Sequence, residues 1–97
     1  MTDLLINIDV DDLERAVAFY TDGLGLRLSR RLGPDIAELE GAACPVYLTQ
    51  HAPGTRPFAG AASAREFQRH WTPVHLDFVV SDLDAAIQRA EFGGSPA

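Results

Sequence analysis

Apolar and polar residues alternate from Leu4 to Val10, with Leu4, Ile6, Ile8 and Val10 on one side and Leu5, Asn7 and Asp9 on the other. A period of two is that of a β-strand with one buried face. The period then changes: Leu13, Ala16, Val17 and Tyr20 recur at helical spacing, and Asp11 with Glu14 has the form of a capping box, which predicts a helix over 12–20. Asp22-Gly23 and Gly25 end it, where a left-handed backbone is cheap. Three more strands follow. They are 26–32, with an Arg-rich solvent side, 36–40, in which Glu38 and Glu40 alternate with apolar residues, and 46–50, entered through Pro45. The order is βαβββ.

Residues 51–73 carry Pro53, Gly54, Pro57 and Gly60, then an alanine-rich Arg/Glu stretch ending at His70-Trp71. They read as a linker with one helical turn near 64–69, and a loop this long is unusual in a compact domain and often functional. Beyond it the chain repeats itself. Setting 5–23 against 75–93 pairs Val10 with Val80, Asp12 with Asp82, Leu13 with Leu83, Ala16 with Ala86 and Gly23 with Gly93, and the capping pair Asp11/Glu14 recurs as Ser81/Asp84. The chain therefore divides into a βαβββ unit over 4–50, the linker 51–73, the βα start of a second unit over 74–92, and a flexible tail over 93–97. The fold class is α+β.

Ninety-seven residues make one small domain, 46% apolar and 23% charged, with no apolar run long enough to span a membrane. The net charge is −6, and all eight basic residues are Arg, dispersed from Arg15 to Arg89. Nucleic acid is excluded as a partner, because phosphate binding calls for a basic patch. Cys44 is the one cysteine and has no internal partner, while Asp3 stands where a secretory signal would place Lys or Arg, so a reducing cytoplasm is expected.

With LINIDVDDLERAVAFYTDGLGL first, VYLTQ on the fourth strand and HLDFVVSDLDAAIQRA as the repeat, residues 4–92 resemble the glyoxalase / bleomycin-resistance / extradiol dioxygenase superfamily, the vicinal oxygen chelate proteins. The resemblance implies two βαβββ modules, each curving an open sheet around a ligand cleft. It also implies that the second module here is incomplete, holding βα alone. Another chain is then expected to supply or cover the missing strands, as in a dimer, because an uncovered edge associates.

Metal enzymes of this superfamily hold one divalent ion, such as Zn, Ni, Fe or Mn, through His and Glu at equivalent positions of the two modules. Carried over, those positions are Leu5, which cannot ligate, about Tyr47, and His75. His75 is the one candidate ligand, whereas a catalytic metal needs about three from protein. If the first strands of the two modules pair as the resemblance implies, Asn7, Asp9, His75 and Asp77 share the cleft face. Asp9 and Asp77 are then candidate bases or hydrogen-bonded carboxylates, and Tyr47 and Trp71 candidate aromatic walls. Trp71 has the alternative of packing the linker onto the sheet, and His75 that of bonding Asp77. Cys44 has no basic neighbour to make it nucleophilic.

The expected function is binding of a small organic molecule in an acidic and aromatic cleft at a subunit interface, without a complete metal site. The alternatives are a metal-dependent lyase, isomerase or dioxygenase using His75, and a truncated copy or interaction module without a ligand.

Overall fold

The computed structural model describes residues 1–92, so the expected tail and the Gly23/Gly93 match lie outside the described residues. Four strands, β1 (Ile6–Val10), β2 (Arg27–Arg31), β3 (Ile36–Glu40) and β4 (Val46–Gln50), and two helices, α1 (Leu13–Ala18) and α2 (Leu83–Phe92), follow in the order β1-α1-β2-β3-β4-α2. They form a single sheet of spatial order β1-β4-β3-β2, parallel between β1 and β4 and antiparallel elsewhere. This is a βαβββ arrangement of the α+β class, compatible with the one the resemblance implies, and among the described residues no complete second module accompanies it.

The apolar half of the alternation makes the core. Leu13, Leu26, Ala37, Leu39, Val46 and Leu48 are buried together, with Ile8, Val10, Ala16, Val17 and Tyr20 packed against them. Ala37 faces Leu48 and Leu39 faces Val46 across the β3–β4 ladder, so α1 covers this side of the sheet. Gln50, at the end of β4, accepts the Leu13 N–H at 2.8 Å and so satisfies one of the amides that a helix start leaves open.

The cap of α1 lies one residue beyond the expected one. Asp12, in extended conformation, accepts the Arg15 N–H at 3.1 Å, while Glu14 is forked onto Arg31 at 2.7 and 2.8 Å. With Asp12 at the N-cap, Glu14 falls at the second helical position instead of the third, too early for a capping box. The repeat carries the same shift, since Asp82 rather than Ser81 accepts the Ala85 N–H at 3.0 Å. Past Ala18 the helix widens into a π-type turn, Phe19–Gly23, with Leu24 N–H bonded to the Phe19 carbonyl at 3.2 Å, and Gly25 then takes φ +79°.

Two expectations for the second half are corrected. No helical turn forms over 64–69: Arg65 instead donates its N–H to Thr55 at 2.7 Å and accepts from Gly54 at 2.9 Å, which ties the two limbs of the linker together. Residues 74–80 are not in a β-ladder, because β1 is hydrogen-bonded to β4 and no other strand among the described residues lies beside them. α2 does form, and it packs against the Phe19–Gly23 turn. Its position in the repeat exposes what is missing around it: Leu13 is 1% exposed, whereas its counterpart Leu83 is 66% exposed. A sheet covers the first, and among the described residues none covers the second.

Candidate binding site on the open face of the sheet

The polar half of the same alternation builds the other face. Neither helix has its main packing there, and the ladders bring its side chains into rows. Asn7 lies beside Tyr47, Tyr47 beside Glu38, and Glu38 beside Arg30, so one row crosses all four strands; Asp9 lies beside Thr49 in the next.

Each member of these rows has partners. The Thr49 hydroxyl donates to Asn7 Oδ1 at 2.9 Å. Asp9 accepts from Arg65 Nε at 2.8 Å and lies 3.5 Å from His51 Nε2, so it joins the linker to β1 instead of standing as a free base. Tyr47 donates its hydroxyl proton to Glu38 Oε2. Arg30 forks onto the same carboxylate, Nε to Oε1 at 3.2 Å and Nη2 to Oε2 at 3.4 Å. Glu38 is 8% exposed. The Tyr47 hydrogen bond, supported by those from Arg30 and Ser29, outweighs burial and holds its carboxyl below the ordinary glutamate range.

Along the outer edge of β1 runs a groove of about 830 Å³, lined by Asn7, Asp9, Phe67, His70 and Trp71 among others. Ile6 N–H bonds the Pro45 carbonyl and His51 N–H bonds that of Val10, so the backbone of Ile6 and Val10 turns toward β4. By strand alternation the backbone groups of Asn7 and Asp9 turn into the groove. Trp71 is 78% exposed, and its ring lies 5.3 Å from that of His75.

The residues expected at one cleft are thus divided. Asn7, Asp9 and Trp71 share the groove, Tyr47 lies next to it on the sheet, and His75 stands beside Trp71. Asp77 lines a separate, more apolar hollow of about 500 Å³ with Leu24, Leu26, Cys44 and Phe78. The expected common face of Asn7, Asp9, His75 and Asp77 is not assembled, because it required 75–80 to pair with β1. Glu38, expected only as a polar position of the third strand, is the buried centre of the row. A Glu flanked by Ala37 and Leu39 hints at partial burial, but its link to Tyr47 and Arg30 depends on register, which alternation does not give.

Among the described residues no three His, Cys, Asp or Glu side chains converge as a metal site would require. Leu5 has no donor, Tyr47 is committed to Glu38, and His75 lies against an indole. The donor set does not fit the divalent ion of the metal enzymes.

The glyoxalase-like domain family matches this chain over residues 5–96. No curated protein and no solved structure matches it.

Proposed function

The chain belongs to the glyoxalase-like domain family, and from that premise we propose that it binds a small organic molecule on the open face of its sheet, held by its own side chains instead of a metal ion. The observation that carries this reading is the groove beside β1. Its volume of about 830 Å³ lies within the range of small-molecule sites, and it combines polar groups on Asn7 and Asp9 with the broad, uncovered ring of Trp71. Asp9 is neutralised by Arg65, so the groove is polar and aromatic more than acidic. The unpaired outer edge of β1 supports self-association across it, and the groove is read as lying at a contact between two copies.

Trp71 is the sole tryptophan, so intrinsic fluorescence reports on the groove without labelling. Planar aromatic cations, anions and neutral heterocycles are titrated in turn. At least one class is expected to quench Trp71 saturably, and Asn7→Ala to weaken that ligand about fivefold, the worth of one hydrogen bond. Absence of saturable quenching by every class, or an affinity untouched by Asn7→Ala, would overturn the reading.

A further inference from the structure

Glu38, Tyr47 and Arg30 lie outside the groove, and their arrangement has a chemical consequence of its own. An ionised carboxylate accepts hydrogen bonds and donates none, and a guanidinium donates and never accepts. A tyrosine hydroxyl has one proton and two lone pairs. With its proton on Glu38 Oε2, Tyr47 has only lone pairs left to offer a ligand.

Of its neighbours, Arg30 is committed in the opposite sense and Asn7 to neither: Thr49 donates to Asn7 Oδ1, which keeps a second lone pair beside the Nδ2 donors. Arg30 spends Nε and one Nη2 proton on Glu38 and also faces the Tyr47 oxygen, so one of the two Tyr47 lone pairs is taken and one remains; the guanidinium keeps further N–H groups and is more than half exposed. From Tyr47 on β4 to Arg30 on β2 the row therefore reads acceptor, then donor. Because Tyr47 and Arg30 reach the same oxygen of Glu38, the free Tyr47 lone pair and the free Arg30 N–H groups lie within reach of one small molecule.

We infer that Glu38 is a positioning residue that fixes the hydrogen-bond polarity of the binding face, so that the ligand read there presents an N–H or O–H donor to Tyr47 next to a carbonyl-type oxygen for Arg30. The chemical class is that of lactams, amides and hydroxycarbonyl compounds. Arg30 has a second part in this. Alongside the Tyr47 hydrogen bond, it favours the ionised carboxylate, and an ionised carboxylate has no proton to hand back to Tyr47. The inference rests on the open-face binding proposed above and adds to it what the face selects.

The test uses 2-pyridone, whose N–H adjoins its carbonyl, and 1-methyl-2-pyridone, which lacks the donor. Amide NMR titrations are run on the wild type, Glu38→Gln and Tyr47→Phe. In the wild type 2-pyridone is expected to shift Tyr47 and Arg30 and to bind about fivefold tighter than the methylated compound, as loss of one hydrogen bond implies. In Glu38→Gln, Arg30 holds the amide oxygen and the amide NH₂ faces Tyr47, turning the hydroxyl proton outward. The preference is then expected to vanish or reverse. Tyr47→Phe removes the acceptor and is expected to abolish the preference whether or not Glu38→Gln folds.

Equal binding of the two pyridones by the wild type, a preference that survives Tyr47→Phe, or shifts at neither Tyr47 nor Arg30 would overturn the inference. If Trp71 quenching persists in any of these cases, the groove reading stands and the polarity argument alone fails. If no aromatic class quenches Trp71 either, both fail.

Discussion

Gly23 lets two parts of the repeat meet, and replacing it with alanine tests the packing that holds α2. A Cβ at Gly23 would lie 3.0 Å from Ala90 Cα, 3.4 Å from the Arg89 carbonyl oxygen and 3.5 Å from Ala90 N. All three atoms are backbone, so no side-chain rotation relieves the contact. Gly23 is not among the glycines of positive φ and ends a helical turn, so local preference favours alanine there by roughly 0.5–1 kcal/mol. Overpacking against fixed backbone costs about 1–3 kcal/mol. The two effects oppose, and the steric one is the larger, which leaves a net loss of about 1 kcal/mol. In a domain of this size that lowers Tm by about 4–8 °C. Thermal unfolding measures the loss, and amide exchange locates it: the α2 amides of Gly23→Ala are expected to exchange faster than in the wild type. A variant that gains about 1 kcal/mol, as local preference alone dictates, with α2 protection unchanged, would refute the contact.

The Asp9–Arg65 pair ties the linker to β1, and Arg65 is mostly buried while Asp9 is partly exposed. A double-mutant cycle of Asp9→Asn and Arg65→Gln, read by urea unfolding, is expected to give a coupling of about 1 kcal/mol, at the upper end for a partly screened pair; a coupling of zero would contradict the tether. For Glu38 the folded carboxyl titrates below its unfolded counterpart, so its contribution is complete above the ordinary glutamate range and is lost as pH falls through the lower folded value. Glu38→Gln is therefore expected to flatten the fall in stability on acidification, measured by unfolding curves from neutral pH to pH ~3, and an unchanged acid profile would contradict it.

The residues divide according to what a linear pattern can express. Ile6, Ile8 and Val10 alternate with Asn7 and Asp9, and both the strand and its two faces follow from that. The edges of β3 and β4 agree with the expected 36–40 and 46–50, since Gly41, Pro45 and His51 bound them by backbone chemistry that is local. The match of 5–23 with 75–93 anticipates α2, whereas its expected cap, Ser81, lies one position before the residue that caps it, Asp82. The alternation over 75–80 predicts a strand that does not form, because periodicity describes side chains, whereas a strand requires a neighbour to bond. Asp9 is legible as a cleft-side carboxylate, but its hydrogen-bond partner Arg65 lies 56 positions away. Glu38 was hidden for the same reason: Arg30 and Tyr47 reach it only after the β2–β3 and β3–β4 registers are set, and the first of these contains an irregularity between Leu28 and Arg30.

The central claim is that the open face of the sheet, from the Trp71 groove toward Tyr47, is where a small molecule binds. The most direct test is amide NMR mapping with a ligand that quenches Trp71, titrated to saturation. The account predicts that the largest shifts fall on Asn7, Asp9, Tyr47 and Trp71. Shifts confined to Ala42–Cys44 and Asp77–Val80, which line the apolar hollow and not the groove, would contradict it.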